Sequence, residues 1–245
     1  MNNQPKNGET PYGTIPCQSD MEGVETMNRY DAKELVKLVS YMTMADGGLY
    51  LAQRGKYPYF AMNMVTDNMD YILKCKDILE NITTVAIYDR KVEGNRRPQV
   101  RLNTSPHPFF EPIRNRIYID NYKGLDPHTL KLMDAEALAI LYMCDGSLFI
   151  EQPNPAKGLV NPSFNVTLNM KRLSYGDHFL LKKLLKEKFD LEWNINRQYQ
   201  YYYLRLRTKD VEKFMSIVRP YITPSFNYKL TASNVRMVDP HFSNI

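Results

Sequence analysis

The chain has 245 residues, 43% hydrophobic and 24% charged, with a formal net charge of +5. That composition is ordinary for a globular protein of one large or two smaller domains, and no apolar run approaches a membrane span. Cys17, Cys75 and Cys144 are few and scattered, and His107, His128, His178 and His241 form no HExxH. Disulfide frameworks, zinc sites and histidine-based hydrolysis are therefore not expected, and any chemistry falls to carboxylates and lysines.

Residues 1–30 are polar and rich in Gly, Pro and Asn, which predicts a flexible arm without the apolar core of a signal peptide; 231–245 reads as a similar tail. A helix is expected over 31–46, strands over 48–54 and 59–66, a helix over 67–80, strands over 84–90 and 98–104, and a helix over 107–118. The order then recurs: helix 134–145, strands 147–152 and 163–170, helix 174–189, strands 193–199 and 202–208, helix 209–219. The landmarks recur too. LVSYMTMADGGL meets LAILYMCDGSL, YFAMNM meets NVTLNM, DYILKCKDIL meets DHFLLKKLL, RLNT meets RLRT, and NYKGL meets NYKL, at offsets from 99 (46 to 145) to 107 (70 to 177). Five landmarks in one order argue for a tandem duplication over about 31–124 and 125–230, each half αββαββα. The expected fold is α+β with antiparallel sheets.

The strands alternate. Phe164, Val166, Leu168 and Met170 are expected on a buried face, with Ser163, Asn165, Thr167 and Asn169 opposite. Val100 and Leu102 oppose Gln99, Arg101 and Asn103; Tyr202, Leu204 and Leu206 oppose Tyr203, Arg205 and Arg207; Trp193 and Ile195 oppose Asn194, Asn196 and Gln198. The bland reading is a solvated sheet face. Yet these four strands carry no acid on that face, and Asn, Gln and Arg are the residue types that read base edges.

VSYMTMADG (39–47) and LAILYMCDG (138–146) resemble the paired motifs of the LAGLIDADG homing endonucleases. The resemblance covers about 31–230, and VRPYITPSFNYKL closes the second half much as a monomeric intron-encoded member closes its own. It implies a pseudo-twofold monomer with the motif helices packed at the centre and two sheets forming a saddle over double-stranded DNA. Tyr41, Ala45, Ile140 and Cys144 stand where those helices would cross. The implied activity is metal-dependent cleavage of both strands at a long asymmetric target, across the minor groove, leaving short 3′ overhangs and serving intron mobility. An intron-RNA maturase, or a DNA-binding protein on a dead nuclease scaffold, is the alternative, and a maturase could still keep the catalytic residues. The expected compartment is the cytoplasm, or the organelle or phage host holding the target DNA, with no membrane partner.

Asp46 and Asp145 are then candidate Mg²⁺ ligands, with Mn²⁺ as a substitute, helped by backbone groups of Ala45, Gly47 and Cys144. The bland alternative is a helix C-terminal Asp-Gly turn. However, an Asp at a helix C-terminus opposes the dipole, and this happens twice. By the resemblance, Lys123 and Lys229 of the matched NYK triplets stabilise phosphate charge or assist the water; singly, each reads as a loop lysine. Asn63 and Asn169 are candidates for positioning water or for contacting bases. Gln53, Arg54, Lys56, Arg90, Lys91, Arg96, Arg97, Lys157 and Arg172, in or near strand-connecting turns, are candidate DNA contacts, mostly to phosphates. Glu93 and Glu151 are expected in solvent, Met42, Met44, Met62, Met64 and Met143 in the core, and Lys182, Lys183, Lys186 and Lys188 on an outer helix face.

Overall fold

A computed structural model describes residues 30–90, 94, 97–153 and 161–231. Lys91, Glu93, Arg96, Lys157, Cys17 and His241 lie outside them. The first half runs α1 (Ala32–Met44), β1 (Gly47–Tyr50), β2 (Tyr59–Val65), α2 (Met69–Glu80), β3 (Val85–Arg90), β4 (Gln99–Thr104) and α3 (Phe110–Ile117). A two-stranded hairpin, β5 (Tyr118–Ile119) and β6 (Tyr122–Lys123), and a short helix, α4 (Pro127–Leu130), lead on. The second half is α5 (Ala135–Asp145), β7 (Gly146–Glu151), β8 (Ser163–Leu168), α6 (Tyr175–Phe189), β9 (Trp193–Gln198), β10 (Tyr201–Leu206) and α7 (Val211–Val218). Two 3-10 segments, Arg219–Tyr221 and Pro224–Leu230, close the described chain. Both four-stranded sheets are antiparallel and have the same strand order, β1-β2-β4-β3 and β7-β8-β10-β9.

The motif helices start alike. Asp31 and Asp134 are N-caps, accepting from the amides of Glu34 (2.7 Å) and Ala137 (2.9 Å). Asp46 lies fifteen positions after Asp31 and Asp145 eleven after Asp134; α1, with 13 residues against 11 in α5, takes up two of the four extra positions and the Ala45–Asp46 turn the other two. α1 packs on α5, and Leu38, Tyr41, Met42, Leu138, Leu141 and Tyr142 are fully buried between the sheets and helices. Tyr41, at the expected crossing, directs its hydroxyl toward the Thr129 and Leu130 carbonyls of α4, each at 3.5 Å. Ions tie the halves as well: Lys37 of α1 pairs with Asp134, and Lys74 of α2 with Glu136 at 2.7 Å. Asp70 of α2 accepts from the Ser225 amide at 2.8 Å.

Several expectations need correction. The first helix stops at Met44, leaving Ala45 and Asp46 in a turn, and the following strand ends at Tyr50 rather than 54. Phe164 is on the predicted face but 48% exposed, at the open end of a groove lined by Leu148, Val211 and Met215. Asn165 and Thr167 are on the polar face yet only 1% and 4% exposed, because their own hydrogen-bond partners cover them. The hairpin turn at Asp120 and Asn121, both at positive φ (48° and 64°), was not anticipated; Asp-Asn is suited to that left-handed two-residue turn.

Candidate active site

Gly47 and Gly146 explain half of the Asp-Gly pair. Gly146 has φ −89°, so no left-handed cap demands glycine there. Space does. A Cβ on Gly146 would lie 2.5 Å from the Tyr142 carbonyl oxygen, and one on Gly47 would lie 2.6 Å from that of Met42. The strand leaves each helix by folding directly over its last turn. Both Asp-Gly pairs do lie at helix C-terminal turns, but close packing and not a left-handed cap requires the glycines, and the aspartates remain to be explained.

Asp46 is exposed and Asp145 partly buried, at the adjoining C-terminal ends of α1 and α5. The Cys144 thiol sits against the Asp46 amide and 3.6 Å from the Tyr71 hydroxyl. Burial, and then the Asp46 charge, push the Asp145 carboxyl up to about 6; Lys123, Arg172 and Lys229 act in the opposite direction. Asp145 thus sits beside a second carboxylate, an arrangement whose crowding of negative charge a cation would relieve.

The lysines do something the sequence did not show. Lys123 Nζ donates to the carbonyls of Thr43, Ala45 and Gly47, each at 2.8 Å. Lys229 Nζ donates to those of Met143 (2.6 Å), Gly146 (2.7 Å) and Tyr142 (3.4 Å), and the Tyr142 hydroxyl returns a 2.6 Å bond to the Lys229 carbonyl. Each ammonium therefore sits on the orphan carbonyls of a motif-helix C-terminus, where the dipole is negative. Burial lowers both, Lys123 to about 8. Two carbonyls expected to serve a metal, those of Ala45 and Gly47, are taken by Lys123. Beside it lies a cavity of about 20 Å³ lined by Ala45, Asp145 and Arg172, enough for a water molecule.

Among the described residues no cluster of three His, Cys, Asp or Glu side chains could hold a metal. Two carboxylates suit a hard ion that keeps several waters and takes other oxygens from a phosphate, which is how Mg²⁺ binds.

The polar sheet faces flank this site. In the first sheet Asn63 lies opposite Arg101, and Gln99 opposite Arg90. Arg101 donates to Asn103 at 2.8 Å and Arg90 to Gln99 at 3.3 Å. In the second sheet Asn194 lies opposite Arg205, and Asn196 opposite Tyr203. Gln53, Arg54, Lys56, Arg97, Arg172, Asn194, Gln198 and Arg207 are exposed. Arg97 pairs with Asp67 at 3.6 Å. Asn169, after β8, donates to Thr167 Oγ1 at 3.0 Å, and its amide donates to the Asp145 carbonyl at 2.8 Å. Glu151, expected in solvent, instead pairs with Arg205 at 2.5 Å. Sequence reasoning missed three tyrosines of the open cleft beside Lys123, namely Tyr50, Tyr118 and Tyr122; the fourth, Tyr201, belongs to QYQYYYLR, whose tyrosines are expected from the sequence to contact DNA. The NYK repeat was the available signal for Tyr122.

The LAGLIDADG DNA endonuclease family matches residues 30–214, spanning both Asp-Gly helices and both sheets. The chain belongs to this LAGLIDADG family. Among solved structures it is similar to the homing endonuclease I-WcaI bound to its DNA recognition sequence, with a TM-score of 0.68 and 20% identity over 83% of this chain and 88% of that one. At that identity the likeness shows the LAGLIDADG fold alone. Among curated proteins, an uncharacterised protein of Methanocaldococcus jannaschii is 34% identical over 53% of this chain and 47% of its own length. RecA of Mycolicibacterium flavescens is 25% identical over 76% of this chain and 44% of its length. The chain thus spans about half the length of these two relatives. A probable intron-encoded endonuclease of Wickerhamomyces canadensis is 25% identical over 75% of this chain and 79% of its length.

Proposed function

We propose that the chain is a monomeric, site-specific endonuclease that hydrolyses both strands of a long asymmetric DNA target and leaves short 3′ overhangs. The observation that carries this is the pair Asp46 and Asp145 at adjoining helix ends, with Asp145 raised to about 6 by burial and by its partner. Those two carboxylates, with the Cys144 carbonyl, would hold Mg²⁺ or Mn²⁺. When bound, such an ion polarises the phosphoryl group and steadies the attacking and leaving oxygens.

The chain's own residues do the rest. Lys123 and Lys229 keep a positive charge at each helix end, beside the carboxylates, where negative charge builds on a phosphate. The polar faces of the two sheets read bases, and Arg54, Lys56, Arg97, Arg172 and Arg207 bind phosphates. No helix among the described residues is long and apolar enough to cross a membrane.

The test is to incubate the protein with a randomised duplex library and Mg²⁺, then sequence the cut ends. One recurrent long site with short 3′ overhangs supports the reading. Ends without a shared site, or no ends at all, reject it.

A further inference from the structure

Strands β7 to β10 carry a single acidic residue, Glu151. A carboxylate on a face meant for DNA repels phosphates, so its presence there needs a reason. The register supplies one. Glu151 lies opposite Ser163, Phe149 opposite Asn165, and Thr167 opposite Arg205, which puts Glu151, Asn165 and Arg205 on one face across three strands.

Arg205 Nε donates to Asn165 Oδ1 at 2.8 Å, and Arg205 Nη2 donates to Glu151 Oε2 at 2.5 Å. Asn165 is itself fixed: its amide donates to the Ser163 carbonyl at 3.0 Å and to Ser163 Oγ at 3.1 Å, and it is 1% exposed. Asn165 therefore has no edge to offer a base. Its oxygen is spent on orienting Arg205, whose side chain stays 33% exposed. Nε with one Nη2 proton is one parallel donor pair of a guanidinium. The other pair, on Nη1 and Nη2, is the fork that fits O6 and N7 of guanine. In the first half the matched Arg101 leans on Asn103 of its own strand at 2.8 Å, with no carboxylate partner among the described residues.

We propose that Glu151 and Asn165 are positioning residues that hold Arg205 to read one guanine in the major groove, in the half-site beneath the second sheet. This rests on the endonuclease reading. The two half-sites are then read differently: the second sheet presents one locked arginine, while the first presents side chains that settle on contact.

The experiment is a binding-site selection from a randomised duplex library, without divalent metal, for wild type, Arg205→Lys and Glu151→Gln. Wild type should prefer guanine at one base pair by at least roughly tenfold. Both variants should reduce that preference to about threefold or less at that base pair and leave the others unchanged, while Glu151→Gln binds non-specific duplex no more weakly than wild type. A merely structural role for Glu151 would lower affinity at every position together, and that result overturns the proposal. So does an intact guanine preference in Glu151→Gln. If wild type selects a long site whose guanine preferences ignore Arg205, this assignment alone falls. If wild type selects no site, the endonuclease reading falls with it.

Discussion

Lys123 and Lys229, 106 residues apart in sequence (123 to 229), make the same contact: each ammonium closes the C-terminal carbonyls of the motif helix in its own half. The NYK triplets are thus matched in structure as well as in sequence. Each lysine places a cation within electrostatic reach of the carboxylates while offsetting a helix dipole.

If these cations stabilise charge on the scissile phosphates, each should serve one strand. Lys123→Met should slow cleavage of one strand by about 100-fold and leave the other, and Lys229→Met should do the reverse. Strand-specific end labelling on denaturing gels reads this directly. Equal slowing of both strands by either variant would contradict it.

Asp145 makes the metal-free protein sensitive to pH. Its folded value is raised to about 6, chiefly by burial and then by Asp46, above an unfolded value near 4. A raised value favours the fold fully below about pH 4 and progressively less as pH climbs through about 6. At pH 7.5 in EDTA, Asp145→Asn should be more stable than wild type by about 1–3 kcal/mol, the gap closing near pH 4. Urea melts at the two pH values check it, and Mg²⁺ should narrow the gap by stabilising wild type more.

Gly146→Ala should cost about 1–3 kcal/mol or more, since the new Cβ meets the fixed Tyr142 carbonyl oxygen at 2.5 Å. Gly124→Ala is the control: its Cβ would meet nothing nearer than 3.9 Å, and its melting curve should match wild type.

Asp134 both caps α5 and neutralises Lys37, which is 5% exposed in the core. Asp134→Ala should cost about 2 kcal/mol through the lost cap and the poorly compensated buried ammonium. Lys37 keeps Glu34 at 2.7 Å, so the loss should stop short of unfolding. Thermal denaturation gives the number.

The duplicated fold was legible because its signals are local. The alternation in PQVRLNT and WNINRQ is a period of two, and the Asp-Gly ends mark both motif helices. Asp46 and Asp145 could be found from the repeat alone. The Glu151–Arg205 pair could not. It depends on β7, β8 and β10 being in one register, over 54 residues of sequence, and a one-residue slip would part them. Nor did the sequence show which way the lysines turn: a loop lysine and one folded onto a helix end share the same letters. The exposure of Phe164 depends on where the neighbouring groove opens, which no pattern within its strand encodes.

Under the proposed function two aspartates, one per half, cut the two strands. The most direct measurement is Mg²⁺-dependent cleavage of the selected target, resolved by strand, for wild type, Asp46→Asn and Asp145→Asn. Wild type should make a double-strand break, each single variant at most a nick, and the double variant no cleavage. Unchanged double-strand cleavage in the double variant, or binding of the target without cleavage by wild type in Mg²⁺ or Mn²⁺, would contradict it.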